Sequence, residues 1–386
     1  MSDPRPRPFF DLDPSAYTLE PALDERLPTP ALVVFLDIVR ANVARVIELC
    51  GGDPDRWRPH LKTTKMPAVW AELFAAGVRQ FKCATPLEAE VLLETAAGLG
   101  QRADLLVAYP HVGPNLERLG RLAQRFGDQR LSVLVESPEA AQRAPAELGL
   151  AVDVNPGMDR TGIPLGEEGR FWATCNAAGE RLCALHFYDG HETGPQGSRR
   201  EKLFAGYERV LERLARLRER HPSVVELITS GSPAFGSALA YAPFAEIDGV
   251  CHRVSPGTVV FHDLRSELQD PARGLRPAAL VRASVVSVPR AGRVTLDAGS
   301  KAVGADAGTP IAHVIGRLGW HPKGPSEEHL PVDVDESQPA DRGERVWLVP
   351  RHVCTTVNLA HEALLIDSRS GPRVVPIAAR GHRLGL

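Results

Sequence analysis

The sequence has six cysteines (Cys50, Cys83, Cys175, Cys183, Cys251 and Cys354) but no CxxC spacing among them. The scatter argues against a disulfide framework and suits a reducing, cytoplasmic compartment. No apolar run approaches the roughly 20 residues that span a bilayer. The first residues, MSDPRPRPFFDLDPSAYTLEP, are broken by prolines and acids and lack the apolar core and cleavage site of a secretory signal. No membrane partner is expected. An excess of one charge is missing as well: 45 Lys and Arg stand against 48 Asp and Glu, a formal charge of -3, without a basic block that would track a phosphate backbone. Nucleic acid is therefore excluded as a partner. No internal repeat or low-complexity tract is present.

What is there is ordinary in bulk and informative in pattern. Hydrophobic residues at 43% and charged residues at 24% are the shares of a soluble globular protein. A chain of 386 residues accommodates one large domain and one smaller. From Thr29 to Asp263, short β-rich apolar runs alternate with longer helical patterns. ALVVFLD precedes IVRANVARVIELC, RWRPHLK precedes MPAVWAELFAAG, and VRQFKCA precedes PLEAEVLLETAAG. The rhythm continues through ADLLVAYP, LSVLVES, LAVDVNP, RLCALHFYDG and SVVELITSGS. Pro67, Pro86, Pro114 and Pro138 fall in first helical turns, where the N–H they lack has no intrahelical partner.

Eight parallel strands with connecting helices predict an α/β fold, a TIM-type (β/α)8 barrel over residues 29–263. An open doubly wound sheet would want a GxGxxG turn after the first strand, and FLDIVRAN has none. From 264 to 386 the character changes to apolar runs such as AALVRASVVSVP, RVTLDAGS, ERVWLVPR and ALLIDSRSG, separated by Gly and Pro. This predicts an all-β C-terminal domain. Within it, the stretch from Lys323 to Arg342 reads as a surface loop, and residues 1–28 read as an extension packing on the β domain.

In a barrel, the C-terminal ends of the strands face the ligand. Those ends carry Lys62, Tyr109, His111, Glu136, Arg160, Tyr188, Asp189, His191 and the turn from Thr229 to Ser232. Lys62 ends the second expected strand, where the barrel interior would desolvate its ammonium toward a nucleophilic amine. Two turns of small and hydroxyl residues, Ser230-Gly231-Ser232 and Pro256-Gly257-Thr258, let backbone N–H groups approach a phosphate. In the β domain, His352 and Cys354 are two residues apart. On a strand both would point the same way, and a nitrogen with a sulfur favours zinc over magnesium or calcium.

The segment RPHLKTTK resembles the RPHxKTHK signature of fold-type III pyridoxal-phosphate (PLP) enzymes, in the branch of D-threonine aldolase and D-serine dehydratase, which have an alanine racemase-like N-terminal barrel. The resemblance extends in order through TPALVVFLD, VNPGMDRTG, YDGH, the SGS turn, RVSPGTVVFHD, LDAGSKA and PRHVCTTVNL. It implies that Lys62 carries PLP as a Schiff base and that Ser230, Gly231, Ser232, Gly257 and Thr258 hold its phosphate. It also implies that Arg160 lies near the phenolic oxygen, that Tyr188 lies beside the pyridine ring, and that the assembly is a homodimer. PRHVCTTVNL is similar to the family's PNHxCPTVNL metal motif, so His352 and Cys354 become ligands of a divalent ion, zinc or manganese. Two protein ligands leave positions open for substrate.

The YDGH segment favours the aldolase side of the branch, with His191 as base toward a substrate hydroxyl. The resemblance therefore implies a lyase acting on a small-molecule substrate, a D-β-hydroxy amino acid of the D-threonine type, and yielding glycine and an aldehyde. A D-serine or D-3-hydroxyaspartate dehydratase uses the same residues, and a PLP-binding carrier is a third reading that the HxC pair argues against. Thr64 replaces the second histidine of KTHK and Val259 replaces a tyrosine, which bears on specificity. Asp297, Ser300 and Lys301 match DAGSK without an assigned role.

Overall fold

The computed structural model describes residues 12–192, 196–269, 273–335 and 337–384. They divide into two compact units. One combines the described residues up to Arg45 with Thr63–Val69 and Thr258–Gly381; the other combines Val46–Lys62, Trp70–Gly257 and the residues from His382. Among the described residues, no helix is long and apolar enough to cross a membrane.

The second unit holds the parallel sheet. Strands Gln80–Cys83, Asp104–Val107, Arg130–Val135, Gly149–Asn155, Leu182–Phe187, Glu226–Thr229 and Cys251–Val254 pair in that order. Residues 57–61 close the ring. The Arg58 N–H donates to Val254 O at 2.9 Å, the Leu61 N–H to Lys82 O at 2.7 Å, and the Lys82 N–H to Pro59 O at 3.0 Å. The expected α/β barrel is therefore present. Its crossover helices begin on the prolines the sequence marked, at Pro67–Ala75, Pro86–Gly98 and Pro138–Arg143. Thr85 and Ser137 cap the last two, accepting from Glu88 N and Ala140 N at 3.1 Å.

Two staves differ from expectation. Ala31–Phe35 does not begin the barrel: it pairs antiparallel with Ala279–Arg290 and parallel with Glu362–Ile366 in the other unit's sheet. An apolar run covered on both faces looks alike in either sheet, so periodicity alone could not place it. The stave that completes the eight is Cys251–Val254, whose sequence CHRV is too short and polar to read as a buried strand.

Side chains two apart on each strand share a face and stack the barrel interior in layers. At the base, Arg58 is bonded to both oxygens of Glu226 at 2.7 and 2.8 Å and to Asp104 Oδ1 at 3.0 Å. Above these lie Leu106, Leu134, Ala151, Ala184 and Ile228. One step further toward the mouth, the same alternation places Asp153 and His186.

The other unit is mostly antiparallel. Its strands run Trp320–Pro322, Leu330–Val334, Arg293–Leu296, Ala279–Arg290, Ala31–Phe35, Glu362–Ile366 and Arg373–Pro376, with Arg345–Pro350 pairing both Ala279–Arg290 and Ala312–Val314. Leu330–Val334 lies inside the stretch expected to be a loop, because its alternating LPVDV finds partners on both sides. Of the expected extension, residues 1–11 lie outside the described residues. The remainder docks through Asp24, which accepts from Arg282 at 2.6 and 3.0 Å, and through Tyr17, edge-on to Phe35 at 5.4 Å.

Candidate active site

At the mouth of the barrel a lysine is buried in the interior, and it is Lys82 rather than Lys62. The Lys62 side chain is exposed, in the turn that follows residues 57–61. Lys82, 3% exposed, points inward from the next stave. Its Nζ lies 2.7 Å from His186 Nε2, and His186 Nδ1 lies 2.6 Å from Asp153 Oδ1. Burial pulls the Lys82 ammonium down to about 7, and the neighbouring charge of Lys62 adds to the effect. Burial and the Lys82 charge likewise lower His186. Asp153, for all its burial, is held below the usual carboxylate range by His186.

Tyr188 sits over this group. Its ring centroid is 5.4 Å from Lys82 Nζ and 4.7 Å from Arg160 Cζ. The ring packs so closely on Gly190 and Gly231 that a Cβ at Gly231 would stand 2.9 Å from it, and one at Gly190 would strike its hydroxyl. Arg160, Tyr188 and Gly231 are thus brought together.

The small-residue turn after Glu226–Thr229 is fixed from behind. Ser230, at a φ of +52°, gives its hydroxyl to Asp189 Oδ2 at 2.6 Å, and Tyr207 donates to the same oxygen at 2.6 Å. Burial raises the Asp189 carboxyl above its ordinary range. The Ser230 hydroxyl is therefore engaged inside the protein, and the backbone N–H groups of this turn are donors it can offer an anion. The Ser255 N–H donates to Ser230 O at 2.8 Å and ties this turn to the next. A Cβ on Gly257 would collide with the His60 carbonyl, so only glycine lets the backbone pass there.

Ser255 Oγ and His191 Nδ1 are buried polar atoms without a partner among the described residues, as expected where a polar ligand completes the site. His191 Nε2 is 3.3 Å from Glu192 Oε1, and its ring borders Gly157. The cradle of glycines, the orphaned polar atoms and the adjacent lysines fit a phosphorylated aldehyde cofactor. Of the other strand-end residues, Glu136 accepts from the Gly162 N–H, His111 meets Ala84 O, and Tyr109 is exposed.

In the other unit, His352 and Cys354 are not on a strand. The strand Arg345–Pro350 ends two residues before His352, which caps the helix Val353–Leu359. Asp263 receives the Val353 N–H at 3.0 Å, and the Thr356 hydroxyl turns back to His352 O at 2.9 Å. These bonds favour a helical turn over β alternation. The turn still brings imidazole and thiol together. Burial opposes a charge on His352, but Cys354 and Asp306 raise it to about 9.

Asp306 Oδ2 holds His352 Nδ1 at 2.6 Å, which directs Nε2 away from the carboxylate. Thr63 Oγ1 lies 3.1 Å and Thr258 Oγ1 3.6 Å from Cys354 Sγ. A nitrogen and a sulfur backed by a carboxylate form a donor pair suited to zinc. Among the described residues, no group of three or more His, Cys, Asp or Glu is placed to hold a metal. Asp297 is engaged by Ser284 N and Thr29 Oγ1, and Lys301 by Glu327 and Glu328.

Sequence reasoning missed Lys82, Asp153, His186, Ser255 and Asp306. The first three were findable: polar residues alternating with apolar ones in FKC, VDV and LHF point into the barrel rather than to its helices.

The family described as "Alanine racemase, N-terminal domain" matches residues 34–264, and "Putative serine dehydratase domain" matches residues 278–366. A D-threonine aldolase from Arthrobacter sp is 29% identical over 374 residues, covering 92% of this chain and 93% of its own. A D-threo-3-hydroxyaspartate dehydratase from Delftia sp. (strain HT23) is 29% identical over 378 residues, covering 88% of this chain and 95% of its own. The crystal structure of D-threonine aldolase from Filomicrobium marinum is 26% identical, covers 92% of this chain and 95% of its own, and has a TM-score of 0.80 to it.

Proposed function

Because the chain belongs to the family of the alanine racemase N-terminal domain, we propose that it is the aldolase of its branch, cleaving D-β-hydroxy amino acids of the D-threonine type to glycine and an aldehyde. It is a PLP-dependent enzyme of the D-amino-acid aldolase and dehydratase kind. The observation that carries the finer reading is His191, in YDGH, whose Nδ1 is buried with no partner among the described residues and whose Nε2 borders the NPGM turn.

Lys62 would hold the cofactor covalently through its side-chain amine. Backbone N–H groups of Gly231, Ser232 and Gly257 would bind its phosphate, Arg160 would favour an ionised phenolic oxygen, and Tyr188 would border the ring. Bound there, PLP supplies the electron sink for the carbanion left at Cα, and a zinc or manganese ion on His352 and Cys354 supplies a Lewis acid toward the β-hydroxyl. His191 accepts the proton of that hydroxyl as the Cα–Cβ bond breaks. Asp306 fixes the tautomer and orientation of His352. The same reading has the protein working as a homodimer in the cytoplasm.

The dehydratase reading keeps its weight from the 29% identity to the Delftia enzyme. The test is product analysis of the purified protein with PLP and a zinc or manganese salt. Glycine and acetaldehyde from D-threonine support the aldolase. A 2-keto acid with ammonia from D-serine or D-3-hydroxyaspartate, and no glycine from D-threonine, replaces it with the dehydratase.

A further inference from the structure

The buried group Asp153, His186 and Lys82 takes no part in the function proposed above, yet burying three ionisable side chains in a barrel is costly. The base of the same barrel shows how charges are buried for stability: Arg58 meets both Glu226 oxygens and Asp104, and Arg253 adds a second cation 3.2 Å from Glu226. The mouth is arranged differently. Lys82 has a single side-chain hydrogen bond, to an imidazole that is itself bonded to a carboxylate. This leaves one mobile proton for two nitrogens. With Asp153 ionised, the proton resides on Lys82 or on His186, and either placement leaves an acceptable hydrogen bond.

Lys82 also stands beside Lys62 in the backbone. The Leu61 N–H, one residue before Lys62, donates to the Lys82 carbonyl, and His60 pairs with Lys82 across the closing stave. The groups that face Lys82 are Lys62, Arg58 and His60 from the closing stave, Asp153 from Gly149–Asn155, Arg160 from the loop after it, and His186 and Tyr188 from Leu182–Phe187 and its end. Asp153 is the negative charge in this set.

We propose that Asp153, His186 and Lys82 are a buried proton store coupled to Lys62, which releases its proton to water at the barrel mouth when the Lys62 nitrogen is cationic and recovers it when that nitrogen is neutral. One N–H bond is broken and one re-formed, with water as the only co-reactant. In this role Lys82 is a positioning residue: it sets the charge beside the cofactor lysine without touching substrate. The inference rests on Lys62 as the residue that carries PLP. Two neighbouring cations oppose each other, so a store that can empty removes the conflict, and a fixed cation would not.

The test is a pH titration of the visible absorbance of the PLP-loaded protein, read without substrate. The wild type should show a step with its midpoint near pH 7, where Lys82 gives up its charge. Lys82→Met should lose the step and hold the wild-type high-pH spectrum throughout. Lys82→Arg, always charged, should also lose it but hold the low-pH spectrum. If circular dichroism shows either protein unfolded, His186→Gln serves instead and should move the midpoint by about one unit. A wild type with no step, or a step equally present in Lys82→Met or unmoved in His186→Gln, overturns the store. Borohydride reduction and peptide mapping of the same samples keeps the two ideas apart: PLP found elsewhere than on Lys62 defeats the cofactor assignment rather than the store.

Discussion

The two ends of one barrel bury charge in opposite ways. At the base, Arg58, Glu226 and Asp104 satisfy one another with short, well-aimed bonds and leave nothing for a ligand. At the mouth, Lys82, His186 and Asp153 share a proton, while Ser255 Oγ and His191 Nδ1 have no partner among the described residues. Both ends are enclosed, so burial alone does not mark the site. What marks it is polar capacity left over after the protein's own bonds are counted. The base holds the staves together, and the mouth is built to be completed by something else.

That contrast can be broken at either end. The largest effect is expected at the mouth: Lys62→Ala should lower turnover on the order of 10^4-fold or more and abolish the lysine-bound absorbance of PLP, while urea unfolding is little changed because the side chain is exposed. The base should behave in reverse. Glu226→Gln leaves the buried Arg58 partly uncompensated and should cost about 3–5 kcal/mol in urea unfolding, with the lysine-bound absorbance retained in whatever protein remains folded.

A third expectation concerns pH. His252 lies in the strand Cys251–Val254, stacked on Phe244 at 4.1 Å and bonded to Thr229 at 2.8 Å, and burial lowers it to about 3. Its folded value is depressed, so the unfolded chain binds the extra proton between the ordinary histidine range and about 3. Its contribution is complete above that range and is lost as pH falls through it, by about 3 kcal/mol near pH 4. Urea midpoints measured at falling pH should decline less steeply in His252→Gln. The smallest effect belongs to the other unit: Asp306→Asn should weaken zinc binding by about 10–100-fold in competition with a chelator, leaving PLP absorbance unchanged.

Much of this was legible in the sequence because it is written in local chemistry. Proline at the first helical turn, glycine where backbone must pass, and the motif order from RPHLKTTK to PRHVCTTVNL depend on neighbours along the chain. What was misread depends on partners far away. ALVVF is an apolar run that either sheet could take, and its neighbours Arg282 and Leu364 are hundreds of residues distant. CHRV is a stave because Glu226–Thr229 pairs along one side of it and residues 57–61 complete the ring on the other. His352 and Cys354 were identified by type but given the wrong backbone, since the bonds to Asp263 and Thr356 that wind a helix there are invisible as a pattern. Lys62 was credited with the desolvation that belongs to Lys82, because a strand end does not say which lysine points inward.

The central claim is that the mouth holds two lysines with different tasks, one carrying the cofactor and one holding a releasable proton beside it. Incubation with PLP, reduction with borohydride, proteolysis and mass spectrometry test it directly. The account predicts the reduced pyridoxyl group on Lys62 and an unmodified Lys82; a pyridoxyl group on Lys82, or none on either lysine, would contradict it.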